Sequence, residues 1–224
     1  MHKDLNHWTP RPLPESKPLE GRFCRLEPLS AQEHGQELFA LSSSPEGAER
    51  FRWLPDSPCQ EFASFAPWLQ AAETSRDPKF YAVRDLRSGR VGGRQALMAI
   101  SADNGSIELG HVLWGDPIAR SPVTTEAFFL TARYLFEDLG YRRLEWKTDN
   151  RNEASKRAAL RFGMQPEGLF RQHRVVKGTN RDTAWFSMLD IEWPACGAAL
   201  RAWLAPTNFD ANGQQVQRLE TLRA

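Results

Sequence analysis

The sequence predicts an α/β (α+β) fold built on a mixed, largely antiparallel sheet with helices on both faces, and three observations predict it. Strand-like runs at 79–86, 90–101 and 106–114 are separated only by short turns ending in "RSG" and "DNG", which makes an antiparallel meander. From 121 to 189 helical and strand patterns alternate, so the sheet must continue beneath covering helices. At 224 residues and 41% apolar, the chain can bury one full core.

Taken in order, the elements support this. Pro10, Pro12, Pro14 and Pro18 fix residues 1–20 as an extended arm rather than a packed element. "RFCRLEPL" (22–29) alternates apolar and charged side chains as a first strand, and Ser30 caps a helix through "AQEHGQELFALS". Residues 42–60 are proline-marked and read as irregular, yet they carry Phe51 and Trp53, either packed down or forming one wall of a pocket. "EFASFAPWLQAAETS" reads as a second helix, interrupted or restarted near Pro67. The meander follows. Ser121 and Pro122 then suit the N-cap and first position of a helix whose apolar residues Val123, Ala127, Leu130, Tyr134 and Leu135 recur at helical spacing. A strand at 142–149, a helix at 152–163 ending on Gly163, and closing strands "GLFRQHRVV" and "DTAWFSML" complete the unit. Organisation is therefore an arm (1–20), a core unit (21–190), and a C-terminal helix with a polar tail (191–224).

Composition excludes several classes. Lys plus Arg number 29 against 28 for Asp plus Glu, so no large basic surface is expected for nucleic acid. No apolar run approaches the ~20 residues that span a bilayer, and the N-terminus lacks a signal-peptide core, which predicts a cytoplasmic protein without a membrane partner. Cys24, Cys59 and Cys196 are odd in number and far apart, so neither a disulfide framework nor a metal site is expected. A thiol enzyme built on Cys59 would lack a visible histidine partner.

The chemistry-bearing candidates cluster around the last meander strand. The helix after it presents free N–H groups and a positive dipole end, which suit an anion such as a pyrophosphate. Glu108 is a carboxylate in a strand leading toward that helix, able to accept a proton directly or through water if partly buried. By simple alternation it shares a face with Gly110, Val112 and Trp114, and His111 falls opposite as the competing base unless a bulge disturbs the parity.

The order of these elements resembles the GNAT superfamily of N-acetyltransferases, in the RimJ/RimL-like branch, most clearly in "TEA" (125–127) and "DNRNEASKRAALRFGM" (149–164). The resemblance covers residues 21–189. It implies a sheet splayed between its fourth and fifth strands, with acetyl-CoA inserted there as co-substrate and no metal. It implies that the pyrophosphate sits on the turn from about 119 to 125, with contacts from Arg120, Ser121, Val123, Thr124 and Thr125, and that the backbone of His111, Val112 and Leu113 pairs with the pantetheine arm. The family writes that turn Gln/Arg-x-x-Gly-x-Gly/Ala; here Arg120 and Pro122 stand at the two small positions. The common acid, a tyrosine four residues before the helix-ending glycine, is replaced by Ala159. In its place the resemblance offers Asn152 as a hydrogen-bonding cofactor contact and Ser155 as a further cofactor contact and the acid. Arg151, Lys156, Arg157 and Arg161 are candidates for the adenosine 3'-phosphate or a solvated helix face. Phe51, Trp53, Trp68, Phe170 and Trp185 could border the acceptor site or belong to the core. The expected reaction is direct acetyl transfer to a peptide or small-molecule amine in a ternary complex. A catalytically silent acyl-CoA-binding or protein-interaction module is the alternative, and the aromatic closing strands could support a homodimer.

Overall fold

The computed structural model describes residues 5–223; residues 1–4 of the expected arm and residue 224 of the tail lie outside the described residues. Its strands are β1 (Leu19–Glu20), β2 (Cys24–Pro28), β3 (Lys79–Asp85), β4 (Val91–Ser101), β5 (Ser106–Trp114), β6 (Arg143–Asp149), β7 (Gln165–Val176) and β8 (Thr179–Leu189). They form one sheet in the order β1-β2-β3-β4-β5-β6-β8-β7. Every neighbouring pair is antiparallel except β5 with β6. The expected mixed, largely antiparallel sheet is present.

Helices cover both faces. On one lie α1 (Ala31–Ser43) and α3 (Phe62–Thr74), whose Leu38, Phe65, Leu69 and Ala72 pack with Phe80, Ala82 and Ala96 of the sheet. On the other lie α4 (Pro122–Arg133), α5 (Glu153–Phe162) and α6 (Trp193–Leu204), which share a larger core with Tyr81, Val83, Leu97, Leu109, Leu144 and Trp146. We call these the first and second faces.

Three local readings change. Residues 42–60 are not wholly irregular: Ser44 caps a short helix α2 (Pro45–Arg50), its hydroxyl accepting from the Gly47 amide, and a 3-10 turn (Phe51–Trp53) follows. Helix α3 runs unbroken through Pro67, because burial of Phe65, Leu69 and Ala72 outweighs one missing donor. Within the arm, Arg11 donates its amide to Ala102, Glu15 bonds Tyr134 and Tyr81, and the Trp8 indole donates to the Asp103 carbonyl at 2.6 Å.

Glu126 of "TEA" has a structural task. From the middle of α4 its buried carboxylate accepts the amides of Arg22, Phe23 and Cys24 at 2.8, 2.5 and 2.7 Å. That fixes the turn before β2 onto the central helix.

Candidate functional site

β5 and β6 pair only through Ser106–Arg143, Ile107–Leu144 and Glu108–Glu145. Beyond Glu108 both strands continue, β5 to Trp114 and β6 to Asp149, with no pairing to each other. The sheet therefore opens into a gap whose edges carry unpaired backbone groups, and such groups need a partner. This is the splay expected between the fourth and fifth strands counted from "RFCRLEPL".

A bulge shapes one edge of the gap. Against β4, Gly110 pairs with Ala96 while Leu113 pairs with Arg94, so β5 uses three steps where β4 uses two. His111 takes up the extra residue in a left-handed conformation, φ 49°. The simple alternation is overturned beyond this point. Leu113, not Val112 or Trp114, shares the first face with Glu108 and Gly110. Trp114 turns to the second face, where its ring meets Trp146 and Phe162 and its indole donates to Gln95. The His111 ring moves onto the first face, 5.1 Å from Phe80, so both candidate bases lie on the same side.

Glu108 is buried, and its carboxylate accepts from the Lys147 ammonium at 2.8 Å. Lys147 also reaches Glu145 at 2.8 Å and lies 4.0 Å over the Trp185 ring. Burial pushes the Glu108 carboxyl above its ordinary value, with the Lys147 hydrogen bond and charge acting against that shift. His111 moves the other way: burial and the neighbouring Arg94 cation lower it, and Asp56 opposes them. Its Nδ1 is buried without a protein partner. Arg94, fully buried and 4.2 Å over the Trp68 ring, forms an ion pair with Asp56. That pair ties β4 to the segment after the 3-10 turn.

The other edge of the site is the helix pair on the second face. Ser121 caps α4 as expected, its hydroxyl accepting from the Val123 amide at 3.2 Å. The Thr124 amide, third in the helix, has no intrahelical acceptor. Arg120 is exposed and held at φ 57°, so the turn keeps a glycine-like backbone without a glycine. Asn152 caps α5 by accepting the Ser155 amide at 3.1 Å, and the Ser155 hydroxyl accepts from the Trp146 indole at 2.9 Å. That hydroxyl remains free to donate its own proton.

The remaining candidates divide. Phe51 is buried against Leu54 and Leu113, so its ring is core; its carbonyl accepts from Lys177 at 2.6 Å at the tip of the β7–β8 hairpin. Trp53 is half-buried with the Arg151 guanidinium 5.9 Å from its ring, so the 3-10 turn reaches both the hairpin and the start of α5. Arg151 is bound to Asp149, Lys156 to Glu153, and Arg161 to the Thr125 hydroxyl at 2.9 Å. Cys59 packs beside the α1–α3 core. Trp68 stacks on Phe65 inside that core. Phe170 and Trp185 pair at 4.7 Å on the open part of the first face.

Sequence reading passed over Lys147, Arg94 and Asp56. For Lys147 a signal existed: Arg143, Glu145, Lys147 and Asp149 alternate with Leu144, Trp146 and Thr148, four charges on one face of a central strand. A cavity of about 720 Å³ lies elsewhere, between α1, α2, Gly92 and the Gly115–Ile118 turn. Of its acidic groups Glu37 pairs with Arg84 and Arg90 and Asp116 with Arg50, and its lining includes the β3–β4 turn. Among the described residues no group of three or more His, Cys, Asp or Glu could hold a metal, and no helix is long and apolar enough to cross a membrane.

The family model described as an acetyltransferase (GNAT) domain matches residues 24–165. The chain is similar to a crystal structure of a GCN5-related N-acetyltransferase from Brucella melitensis, with 57% identity, TM-score 0.96, and 98% of this chain and 99% of that one covered. A GNAT-family structure from Chromobacterium violaceum follows at 37% identity and TM-score 0.80, covering 87% and 96%. A ribosomal-protein-S5-alanine acetyltransferase from Vibrio fischeri, at 13% identity and TM-score 0.62 over 79% and 98%, shares the fold. No curated protein matches the sequence.

Proposed function

The chain belongs to the GNAT acetyltransferase family, and from that premise we propose that it transfers acetyl from acetyl-CoA directly to an amine, with residues 21–190 as the catalytic unit. The single observation that carries this reading is the gap between β5 and β6, flanked by Glu108 on the first face and by Ser155 on the second. A thioester threaded through such a gap would meet an amine from one side and a proton donor for its sulfur from the other.

The residues fit the co-substrate. The β5 backbone at His111, Val112 and Leu113 is free to pair with the pantetheine arm. Arg120, Ser121, Val123, Thr124 and Thr125 form the turn for the pyrophosphate, with the helix dipole behind them. Asn152 stands at the far edge, and Arg157, exposed on α5, is available to the 3'-phosphate. In our reading Glu108 takes the proton from the acceptor ammonium and Ser155 gives one to the departing thiolate. His111 is the competing base: its lowered pKa keeps it neutral near pH 7, and the bulge turns it to the same side. The acceptor, a protein N-terminus or a small-molecule amine, approaches on the first face past Trp53. We read the setting as cytoplasmic, without nucleic acid, membrane or metal; a homodimer through the closing strands is supported by exposed Leu169, Phe170 and Val175 on the edge strand β7.

The Arg120 and Pro122 substitutions favour a second reading, a silent acyl-CoA-binding module, because Pro122 withholds an N–H from the helix end. Two measurements separate the readings. Acetyl-CoA is expected to raise the melting temperature by mass action, and analogues lacking the pyrophosphate much less so. Free coenzyme A released across a panel of amines then reports turnover. Stabilisation without turnover on any amine selects the silent module, and no stabilisation at millimolar acetyl-CoA rejects both.

A further inference from the structure

The open part of the first face carries two arginines that, among the described residues, no carboxylate meets at ion-pair distance, although the charges of Asp149 and Glu108 act on Arg181 from farther away. Arg174 on β7 and Arg181 on β8 are direct cross-strand partners. Like charges directly opposite destabilise a strand pair, whereas an opposite charge stabilises it. Among the described residues neither arginine has an ion-pair partner within 4 Å, and the Arg181 Nε is buried without any hydrogen-bond acceptor. The carboxylates nearby are committed: Asp149 to Arg151, Glu145 to Arg143 and Lys147, and Asp182 to the Gln172 amide and Asn180.

These cations belong to the same surface as the expected base. Trp185, whose ring carries the Lys147 ammonium bound to Glu108, lies two strand steps from Thr183 and four from Arg181 on one face of β8. His173 bonds Thr183 at 3.0 Å, meets the Phe170 ring edge-on and lies tilted beside Trp185. The Trp185 Nε1 is a second buried donor without an acceptor. The charge of Arg174 acts on the Glu108 carboxyl, and that of Glu108 on Arg181, which puts all three within electrostatic reach.

We propose that the acceptor is an amine that also bears an anionic group, a carboxylate or a phosphate ester, and that Arg174 and Arg181 receive that group while the amine faces Glu108. Charge-assisted contacts to a guanidinium pair would offset the cost of holding two arginines together. The proposal rests on the amine-transfer reading above and adds its substrate class.

The test uses pairs of primary amines that differ only in the anionic group: amino acids against their amides, and amino alcohols against their phosphate esters. The anionic member of at least one series is expected to have about tenfold or greater kcat/KM, and the two series distinguish carboxylate from phosphate. In an Arg174→Gln/Arg181→Gln variant that ratio is expected to collapse toward one. An Arg171→Gln variant, which removes an exposed charge from the same strand, is expected to keep it. Equal or better turnover of the neutral members, or a double variant that preserves the ratio, overturns the proposal. A protein that is stabilised by acetyl-CoA yet acetylates neither member of any pair, nor any peptide N-terminus or other amine of the wider panel, instead overturns the reading on which it rests.

Discussion

The two faces of strands β5 and β6 carry opposite chemistry: one is apolar and the other charged. On the second face Ile107, Leu109, Leu144 and Trp146 are buried among apolar side chains of α4 to α6. On the first face the same strands carry Glu108, His111, Arg143, Glu145, Lys147 and Asp149. Alternation along a strand thus lets seven residues of β6 serve both core and site, and the helices decide which side is which. Substitutions on the second face should be read mainly in stability and those on the first mainly in turnover.

The largest expected effect tests the apolar side. Phe128 of α4 is fully buried and stacked on Phe162, with centroids 4.2 Å apart. Phe128→Ala is expected to lower unfolding free energy by about 3–5 kcal/mol in a denaturant titration, from lost burial plus the cavity left behind. Turnover per folded molecule, measured well below the transition, is expected to fall far less. Near-parent stability with turnover destroyed would break the division of labour between the faces.

Glu108→Gln is the matching test on the charged side. It is expected to lower kcat/KM by about 10², equivalent to about 2.7 kcal/mol, while leaving acetyl-CoA affinity and the denaturation midpoint near those of the parent. The side chain keeps its shape, and Lys147 keeps Glu145. The pH profile gives a sign as well. Burial raises the Glu108 pKa above 4.5, so its base form is lost as pH falls through a value above the ordinary carboxylate range. A His111 base, lowered from 6.5, would lose activity as pH falls through a value below the ordinary imidazole range. The two shifts converge, so the limb's position alone does not choose between them. His111→Asn tolerates the left-handed backbone, and only one of the two variants should abolish the acidic limb. If that variant is His111→Asn, the base is assigned to the wrong residue.

Ser155 joins the two sides, because its hydroxyl is the acceptor for the Trp146 indole and the proposed donor to the thiolate. Ser155→Ala is expected to slow kcat by roughly tenfold and to cost about 1 kcal/mol of stability through the orphaned indole N–H. Single-turnover rates and thermal melts on the same preparation separate these effects. A stability loss without any change in the chemical step would make Ser155 a packing partner alone.

How much of this was legible before the structure follows from range. Helix caps at Ser30 and Ser121, the "RSG" and "DNG" turns, and the stop at Gly163 are local signals, and each element they bound is present. The 42–60 stretch misled because Pro45, Gly47 and Pro55 read as loop punctuation, although Ser44-Pro45 is also a helix start. The site was harder. Glu108 and Ser155 could be named, but the face of every β5 residue after Gly110 depends on one bulge at His111. The Arg94–Asp56 ion pair joins residues 38 apart in sequence, and no spacing announces it. Non-local pairing and a single inserted residue are therefore what the one-dimensional pattern hides.

The smallest expected effect concerns the turn where both faces end. Arg120 combines a left-handed backbone that favours glycine with the one cation available to a pyrophosphate in that turn. Two variants separate those properties. Arg120→Ala removes the charge and keeps the strained conformation, whereas Arg120→Gly removes the charge and relaxes the backbone. Glycine is expected to stabilise the fold by up to about 1 kcal/mol relative to alanine, because the left-handed region costs it no Cβ clash. For acetyl-CoA both are expected to bind about 1–2 kcal/mol more weakly than the parent, the contribution of one charge-assisted hydrogen bond. That difference should shrink as salt rises, since an exposed charge is screened within roughly 10 Å at 0.1 M ionic strength. Titration calorimetry at low and high salt measures it. If Arg120→Ala binds acetyl-CoA like the parent at low salt while Arg120→Gly is the more stable protein, the turn owes its strain to chain geometry alone, and the cofactor is held by the helix end without Arg120.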